Sequence, residues 1–534
     1  MKRLIFLLMA ALLVVGLVLS GCAPAEEEEE EEQPVVYTFE NQEIVVGIAG
    51  EVGHPTGDLA YAGAALAASM INGAGGVNIG GLAHNFTIVR VDTKEAQDET
   101  GEQGTTAMTA AIGGLDFVMG GFRTEAVAVY REVVMNAKKL FFNCGAATES
   151  LQYSCVSNYA KYKYWFKTTP YNEHFLAAST LRMVDFAAKQ IRAALNLTED
   201  ATLRACIVAE NLKWARDEQV PKIVAGLPAL HIELKGAPYL VGATEDKASE
   251  TQAAIADIWT KGYDPHIIIP VYSGICGAYF AGTLKAFIGL DRLGAMSVGI
   301  NVYEQLKAPW SAGGKLAEPP PGGPNCKYDV LLDTWADGVS QTSKTAAFLA
   351  GMAAVTGGEY PLYTAATYDA LFLLKDVLEH VGYLESGVGK AKDLDIIARL
   401  ENPAYAIETS TGVNCVYPQP GTSTGGKPAL TQAQVKSIYD IDDYGYTYAV
   451  GDWVMPPHTT HDLAYGPGGV GGAVRATGIG CQWQWDEGAT VWKKKGVWPA
   501  EGYGVTDQYG DWDFEYTGTV DLIIPSYVIT HFGS

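Results

Sequence analysis

The chain has 534 residues, with 37 basic against 61 acidic side chains and a formal charge of −24. Without the two basic residues at its start and a run of seven glutamates at 26–32, 35 basic residues still face 54 acidic ones, a net of −19. Such a surface is a poor partner for nucleic acid or anionic lipid, and roughly 500 residues exceed one ordinary core, so two domains or lobes are expected.

Lys2 and Arg3 precede an apolar run over 5–19. That is the pattern of an export signal, and it is short for a membrane span. The motif Leu19-Ser20-Gly21-Cys22 resembles the bacterial lipoprotein box, which implies cleavage before Cys22 and a lipid on its sulfur. A lipid on the first mature residue would hold the chain at a membrane surface. The glutamate run repels itself and stays hydrated, so it reads as a tether between lipid and folded body.

The body opens on EIVVGIAG (43–50), an apolar, β-branched run predicting a strand buried on both faces. A turn-rich loop and a helix over 59–72 follow, closed by NGAGG. FTIVRVDTKEA, LDFVMGGFRTE and KLFFNCGAATESL each read as a strand running into a loop, with helices over 100–112 and 125–138 between them. The pattern repeats after residue 168. FLAASTLRMVDFAAKQIRAAL is a long amphipathic helix; RACIVAEN, PHIIIPVYSG and AMSVGINVYE are strands; YFAGTLKAFIGL and TYDALFLLKDVLEHVGYL are helices. Alternation of strand and helix predicts doubly wound α/β layers. Residues 312–328 are a Pro/Gly-rich loop. From about 403 Gly, Tyr, Trp and Asp dominate, and runs such as CQWQW and VDLIIPSYV predict irregular β structure attached to a lobe. The aromatic residues there read as packing, with an aromatic surface for sugar-like ligands as the alternative.

No spacing among the eight cysteines is CxxC, so no zinc site is expected. Cys206, inside RACIVA, reads as a buried thiol. GPGGVGG (466–472) contains G-x-G-x-x-G, but Pro467 lies inside it and no strand–helix unit surrounds it, so it reads as a loop. HTTHD (458–462) follows two prolines and also reads as a loop rather than a metal site. No metal, cofactor or catalytic residue is expected, and the chain is not read as an enzyme.

The segments IVVGIAGEVGHPTGDLAYAG, INGAGGVNIGG, DFVMGGFRTE, FFNCGAATESL and YWFKTTPYNE, in that order, resemble the type I periplasmic solute-binding proteins, most nearly the leucine/isoleucine/valine-binding proteins of ABC importers. The resemblance covers about residues 43–400. It implies two Rossmann-like doubly wound lobes with a hinge, joined by three crossovers and closing on a small ligand, here with an irregular β-rich C-terminal extension. Together with the signal (1–21), the lipidated Cys22 and acidic linker (22–36) and the C-terminal segment (403–534, read as packed on the second lobe), the expected segments are 37–168 (first lobe), 169–337 (second lobe) and 338–402 (return to the first lobe).

Residue by residue, the resemblance points to Thr124 for a hydroxyl contact and to the loop Gly145, Ala146, Ala147 and Thr148 for a ligand carboxylate. It assigns Trp214 to an aromatic lid and Tyr272 to the facing loop. Where amino-acid binders carry an acid for the ligand ammonium, this chain has Asn301, with Glu304 three residues on. Arg123 either pairs with a ligand carboxylate or forms a salt bridge at the rim. The implied partners are a small solute (branched-chain amino acid, amide or small carboxylate), permease and ATPase subunits, and the membrane through Cys22. The chain is expected to be an extracytoplasmic, lipid-anchored monomer. The alternative is a sensory binding protein acting through a membrane partner.

Cys144 and Cys155 bracket the GAATES loop, and a bridge there would stabilise the fold by roughly 2–3 kcal/mol. Two separate buried thiols are the alternative. Cys415 with Cys481 is a second candidate pair.

Overall fold

A computed structural model of the chain describes residues 34–96, 98, 100–148, 150–168, 173–242, 246–307, 315–401, 407–410, 413–414, 478–499, 504–507, 510–513 and 517–533. The folded body is Val36–Ser534. Cys22, Cys415, HTTHD and GPGGVGG lie outside the described residues.

The body enters as β1 (Val36–Phe39) and continues into β2 (Glu43–Gly50), β3 (Val77–Ile79), β4 (Leu82–Asp92), β5 (Phe117–Gly120), β6 (Phe141–Asn143) and β7 (Trp165–Lys167). The last six form one sheet in the order β3-β4-β2-β5-β6-β7. All its pairs are parallel except the β3–β4 hairpin. Counting only the parallel strands in chain order, the sheet runs 2-1-3-4-5, a doubly wound order. β2 is central, and Ile44, Val46 and Ile48 are buried, which is why its sequence is a continuous apolar run rather than an alternating one. Helices Pro55–Gly73 and Thr367–Val381 pack on each other, and helices Glu102–Ala111 and Thr124–Asn136 form another packed pair.

A second sheet uses β8 (Leu203–Glu210), β9 (Ile232–Leu234), β10 (Tyr239–Val241), β11 (Ile267–Tyr272), β12 (Met296–Asn301) and β13 (Val330–Asp333). β9 and β10 pair in turn with the two halves of β8. From β10 to β13 the order is again 2-1-3-4-5, all parallel. The chain reaches this sheet through helix Glu173–Ala194, which packs against β12 and β13. It then returns: helix Thr345–Thr356 packs on Pro55–Gly73, and the hairpin of β14 (Tyr383–Glu385) and β15 (Val388–Lys392) pairs antiparallel with β1. After the short pair β16 (Ile407–Glu408) and β17 (Val413–Asn414), the chain rejoins the second sheet. There β18 (Ile479–Asp486) runs antiparallel to β13, and β19 (Val491–Trp498) pairs with β18.

The tryptophans of β18 and β19 are packing groups. Trp483, Trp492 and Trp498 are buried, with Trp483 Nε1 donating to Glu304 O at 2.7 Å and Trp492 Nε1 to Glu318 O at 2.8 Å. Lys494 on β19 forms an ion pair with Asp333 at the end of β13, and neither side chain is exposed.

The first long helix begins at Pro55, four residues before the predicted start. Proline at the first helical position has no N–H to lose there and its φ suits the helix, so the turn-like letters HPTG open the helix instead of delaying it. VDLIIPSYV is no strand in the structure. Its last three residues open helix Ser526–Phe532, with Pro525 immediately before it. The bridge expected between Cys144 and Cys155 is not formed in the structure, where both are buried and unbridged. The Cys144 thiol lies 3.0 Å from Thr168 Oγ1, whereas that of Cys155 donates to Tyr162 O at 3.1 Å. The sulfurs thus serve different neighbours. Cys206 and Cys481 are likewise buried thiols.

Candidate functional site between the lobes

In a 2-1-3-4-5 sheet the chain reverses winding between the first and third strands, and their carboxyl ends splay apart into a crevice. In the first sheet these strands are β2 and β5, followed by Glu51 and by Gly121–Arg123; in the second they are β8, which ends at Glu210, and β11, which is followed by Ser273. The structure brings both crevices together. A polar cavity of about 260 Å³ has Glu51, His54, Arg123, Glu210, Lys247 and Tyr303 in its wall. Beside it lies an apolar pocket with space of only about 30 Å³, walled by Phe122, Leu176, Trp214, Ile300, Val302 and Tyr363, with Thr124, Gly145, Ala147, Ser273 and Gln305. Arg123 lines both.

Local sequence explains how these groups are held. Gly121 adopts φ +81°, which turns the chain from β5 toward helix Thr124–Asn136. Gly145 approaches that turn so closely that a Cβ would sit 2.1 Å from Gly121 O. Below the turn, the Glu95 carboxyl accepts from Phe122 N (3.2 Å) and Tyr130 Oη (3.1 Å). Burial pushes its pKa up to about 7, against the pull of these donors and of Arg123. Across the cleft, Glu210 accepts from Trp214 Nε1 (2.5 Å), Ser273 N (2.9 Å), Gly274 N (3.0 Å) and the Ser273 hydroxyl. Burial raises its pKa too, with Arg123 the largest opposing influence. Trp214 is therefore an oriented wall of the apolar pocket.

Hydrogen bonds also span the cleft. His54 Nε2 lies 3.0 Å from Tyr303 Oη, Lys213 N donates to Glu125 Oε1 at 3.1 Å, and Thr148 Oγ1 donates to Glu218 Oε2 at 2.8 Å. The arrangement is that of lobes drawn together.

No protein-family model matches the sequence, and no curated protein matches it. Solved structures do. A solute-binding protein of an ABC transporter from Rhodopseudomonas palustris, in complex with 3,4-dihydroxybenzoic acid, aligns at a TM-score of 0.55 and 13% identity over 89% of this chain and 98% of that one. An ABC transporter substrate-binding protein from Sphaerobacter thermophilus aligns at 0.52 and 11% over 90% of this chain and 100% of that one. The branched-chain amino acid transporter substrate-binding protein LivJ from Streptococcus pneumoniae, in complex with isoleucine, aligns at 0.50 and 18% over 69% and 90%. The fold is that of the type I periplasmic binding proteins.

Within this type I cleft, the residues singled out in the sequence separate into two groups. Arg123, Thr124, Gly145, Ala147 and Trp214 come together on the wall of the apolar pocket. Ala146 and Thr148 are buried behind it, with Thr148 Oγ1 2.9 Å from Thr124 Oγ1. Tyr272 and Asn301 do not reach either cavity. Tyr272 packs against Phe280 in the core of the second lobe, ring centroids 5.5 Å apart. Asn301 turns its amide to Gly277 O at 3.0 Å. In both cases the side-chain alternation of a strand puts a neighbour into the cleft, Ser273 in one and Ile300 in the other. Glu304 likewise faces the interior of the lobe and is buried.

Glu51, Glu210, Ser273 and Tyr303 also line the cleft, and no local sequence pattern marks them. Three of them stand at or just past the ends of β2, β8 and β11, where the switch-point rule places ligand groups. Among the described residues no cluster of His, Cys, Asp and Glu is placed to hold a metal ion, and no helix is long and apolar enough to cross a membrane.

Proposed function

We propose that this chain is the solute-binding component of an ABC importer and captures a small carboxylate with an aliphatic or aromatic body. The observation that carries the reading is the convergence of both topological switch points on Arg123, with an apolar wall on one side and a polar cavity on the other. A carboxylate placed beside Arg123 gains a charge-assisted hydrogen bond and the N-terminal turn of helix Thr124–Asn136. Burial holds the pKa of Glu95 beneath at about 7, so at neutral pH only part of its charge opposes the anion. The apolar part of the solute meets Phe122, Leu176, Trp214 and Tyr363. The ligands named for the similar structures, isoleucine and 3,4-dihydroxybenzoic acid, both join a carboxyl group to an aliphatic or aromatic body.

On this reading residues 37–168 with 338–402 close against residues 169–337 with 403–534. A bound solute stabilises the closed form by mass action, by about 2.7 kcal/mol at a hundredfold excess over Kd. Titration with isoleucine, 3,4-dihydroxybenzoate and their amides should raise Tm for at least one of them and make the chain more compact in small-angle scattering. If all leave both observables unchanged, the solute class is wrong.

We further propose that the chain is held at the membrane by a lipid on Cys22, on the resemblance of Leu19-Ser20-Gly21-Cys22 to the lipoprotein box. The N-terminal peptide of the membrane-extracted protein should carry a diacylglyceryl thioether on Cys22. An unmodified peptide beginning elsewhere contradicts the anchor and leaves the solute reading intact.

A further inference from the structure

The segment Trp214–Gln219, which follows β8, is a π-helical turn, a geometry that widens the helix and re-aims side chains. It presents two groups to the first lobe. Trp214 walls the apolar pocket, and Glu218 accepts the Thr148 hydroxyl at 2.8 Å. Glu218 also meets the carboxyl of Glu173, in the first turn of the helix that links the lobes. Both carboxyls are buried. Lys222 Nζ lies 3.4 Å from Glu173 Oε1, and Gln219 Nε2 donates to Glu173 O at 2.9 Å.

The charged groups around Glu218 can be taken element by element. The linking helix offers Glu173, helix Val220–Gly226 offers Lys222, and Lys213 precedes the turn itself. From the first lobe, among the described residues, the direct contact is the uncharged Thr148. Two carboxylates in contact repel each other strongly when both are ionised, and Lys222 and Lys213 only partly offset this at Glu218, whose pKa stays raised. One proton between the two carboxyls removes the repulsion. The donors then run in sequence: the Thr148 hydroxyl gives its hydrogen to Glu218, and protonated Glu218 gives its own to Glu173.

We propose that Glu218 is a positioning residue for the Trp214 lid, taking up a proton from solvent as the lobes close, so that an uncharged carboxyl, which costs less to bury at the lobe contact than a carboxylate, lies against Thr148 and seats the lid turn. The proposal rests on the reading that the lobes close over a solute. Burial first, then the Glu173 charge, pushes the Glu218 pKa up to about 8 in this arrangement, against the opposing Thr148 hydrogen bond. The sign follows from linkage. A carboxyl whose pKa is raised on closing binds more protons in the closed form, so its contribution is present at lower pH and is lost as pH rises through about 8.

Small-angle scattering of the ligand-free chain, from about pH 6 to about pH 9.5, reads this directly. The wild-type radius of gyration should increase through the alkaline limb. In Glu218→Gln, which keeps a neutral hydrogen-bonding group at that position, the alkaline expansion should disappear. Thr148→Val, which removes the hydroxyl on the opposite lobe and leaves both acids in place, should be more open at every pH. The proposal is overturned if wild type and Glu218→Gln respond to pH in parallel, or if neither responds. A solute that compacts the chain at pH 6 while these profiles coincide would spare the solute-binding reading and sink the role of Glu218. Compaction by no solute, with the pH profiles distinct, would do the reverse.

Discussion

Replacing Lys494 by alanine is expected to destabilise the body by about 3–5 kcal/mol, the cost of stranding one member of a buried ion pair. Both Lys494 and Asp333 are wholly inaccessible. Lys494 Nζ also donates to Gln305 O at 3.1 Å and lies 4.7 Å from the centroid of the Tyr360 ring. Removing the ammonium leaves Asp333 with only backbone donors, among them Thr334 N at 2.6 Å. Asp333 would then sit in surroundings that already raise its pKa by burial. Urea unfolding gives the number. A second variant, Lys494→Met with Asp333→Leu, should recover most of the loss, because an apolar pair of similar volume has no charge to desolvate. The consequence reaches the cleft, since Gln305 lines the apolar pocket. A loss below about 1 kcal/mol, the scale of an exposed pair, would mean that β18 and β19 are a loose appendage of the second lobe.

Trp214→Ala should weaken solute binding by about 2 kcal/mol or more, the scale of a buried aromatic anchor and roughly thirtyfold in Kd. The indole closes the apolar pocket and is held in orientation by Glu210. Trp214→Phe separates the two contributions. It keeps an aromatic face but loses the Nε1–H, while Glu210 keeps Ser273 and Gly274 as donors. The phenylalanine variant should therefore cost clearly less than the alanine one in calorimetric titration. Equal losses would mean that orientation by Glu210, rather than apolar coverage, is what the indole supplies.

Much of the architecture is legible in the letters because parallel strands covered on both faces need continuous apolar runs. EIVVGIAG, RACIVAE and HIIIPVY have that character and become β2, β8 and β11. Helix limits from periodicity fall close to the observed ones, as at Glu102–Ala111 and Thr124–Asn136. The start at Pro55 differs because proline both breaks and begins helices. The site is harder to read. Strand ends are where a one-residue error turns a side chain to the opposite face, and that separates Tyr272 from Ser273 and Asn301 from Ile300. Glu51 and Glu210 lie at strand ends as visibly as Arg123 does. Their significance depends on which strands flank the winding reversal, a property of strand order that no local pattern carries. Tyr363 reaches the pocket from the return segment, far along the chain from Phe122, whose ring centroid is 5.9 Å away.

The central claim is that a carboxylate is held at Arg123 between the lobes. The most direct test is isothermal titration of wild type and Arg123→Gln with matched pairs, 3,4-dihydroxybenzoate with its amide and isoleucine with its amide. The account predicts that wild type binds at least one of the two acids with one site per chain. It predicts that Arg123→Gln loses at least tenfold in affinity for that acid, about 1.4 kcal/mol or more, and that the matching amide is affected much less. Equal affinity of wild type and Arg123→Gln for the acid, or equal losses for acid and amide, would contradict it.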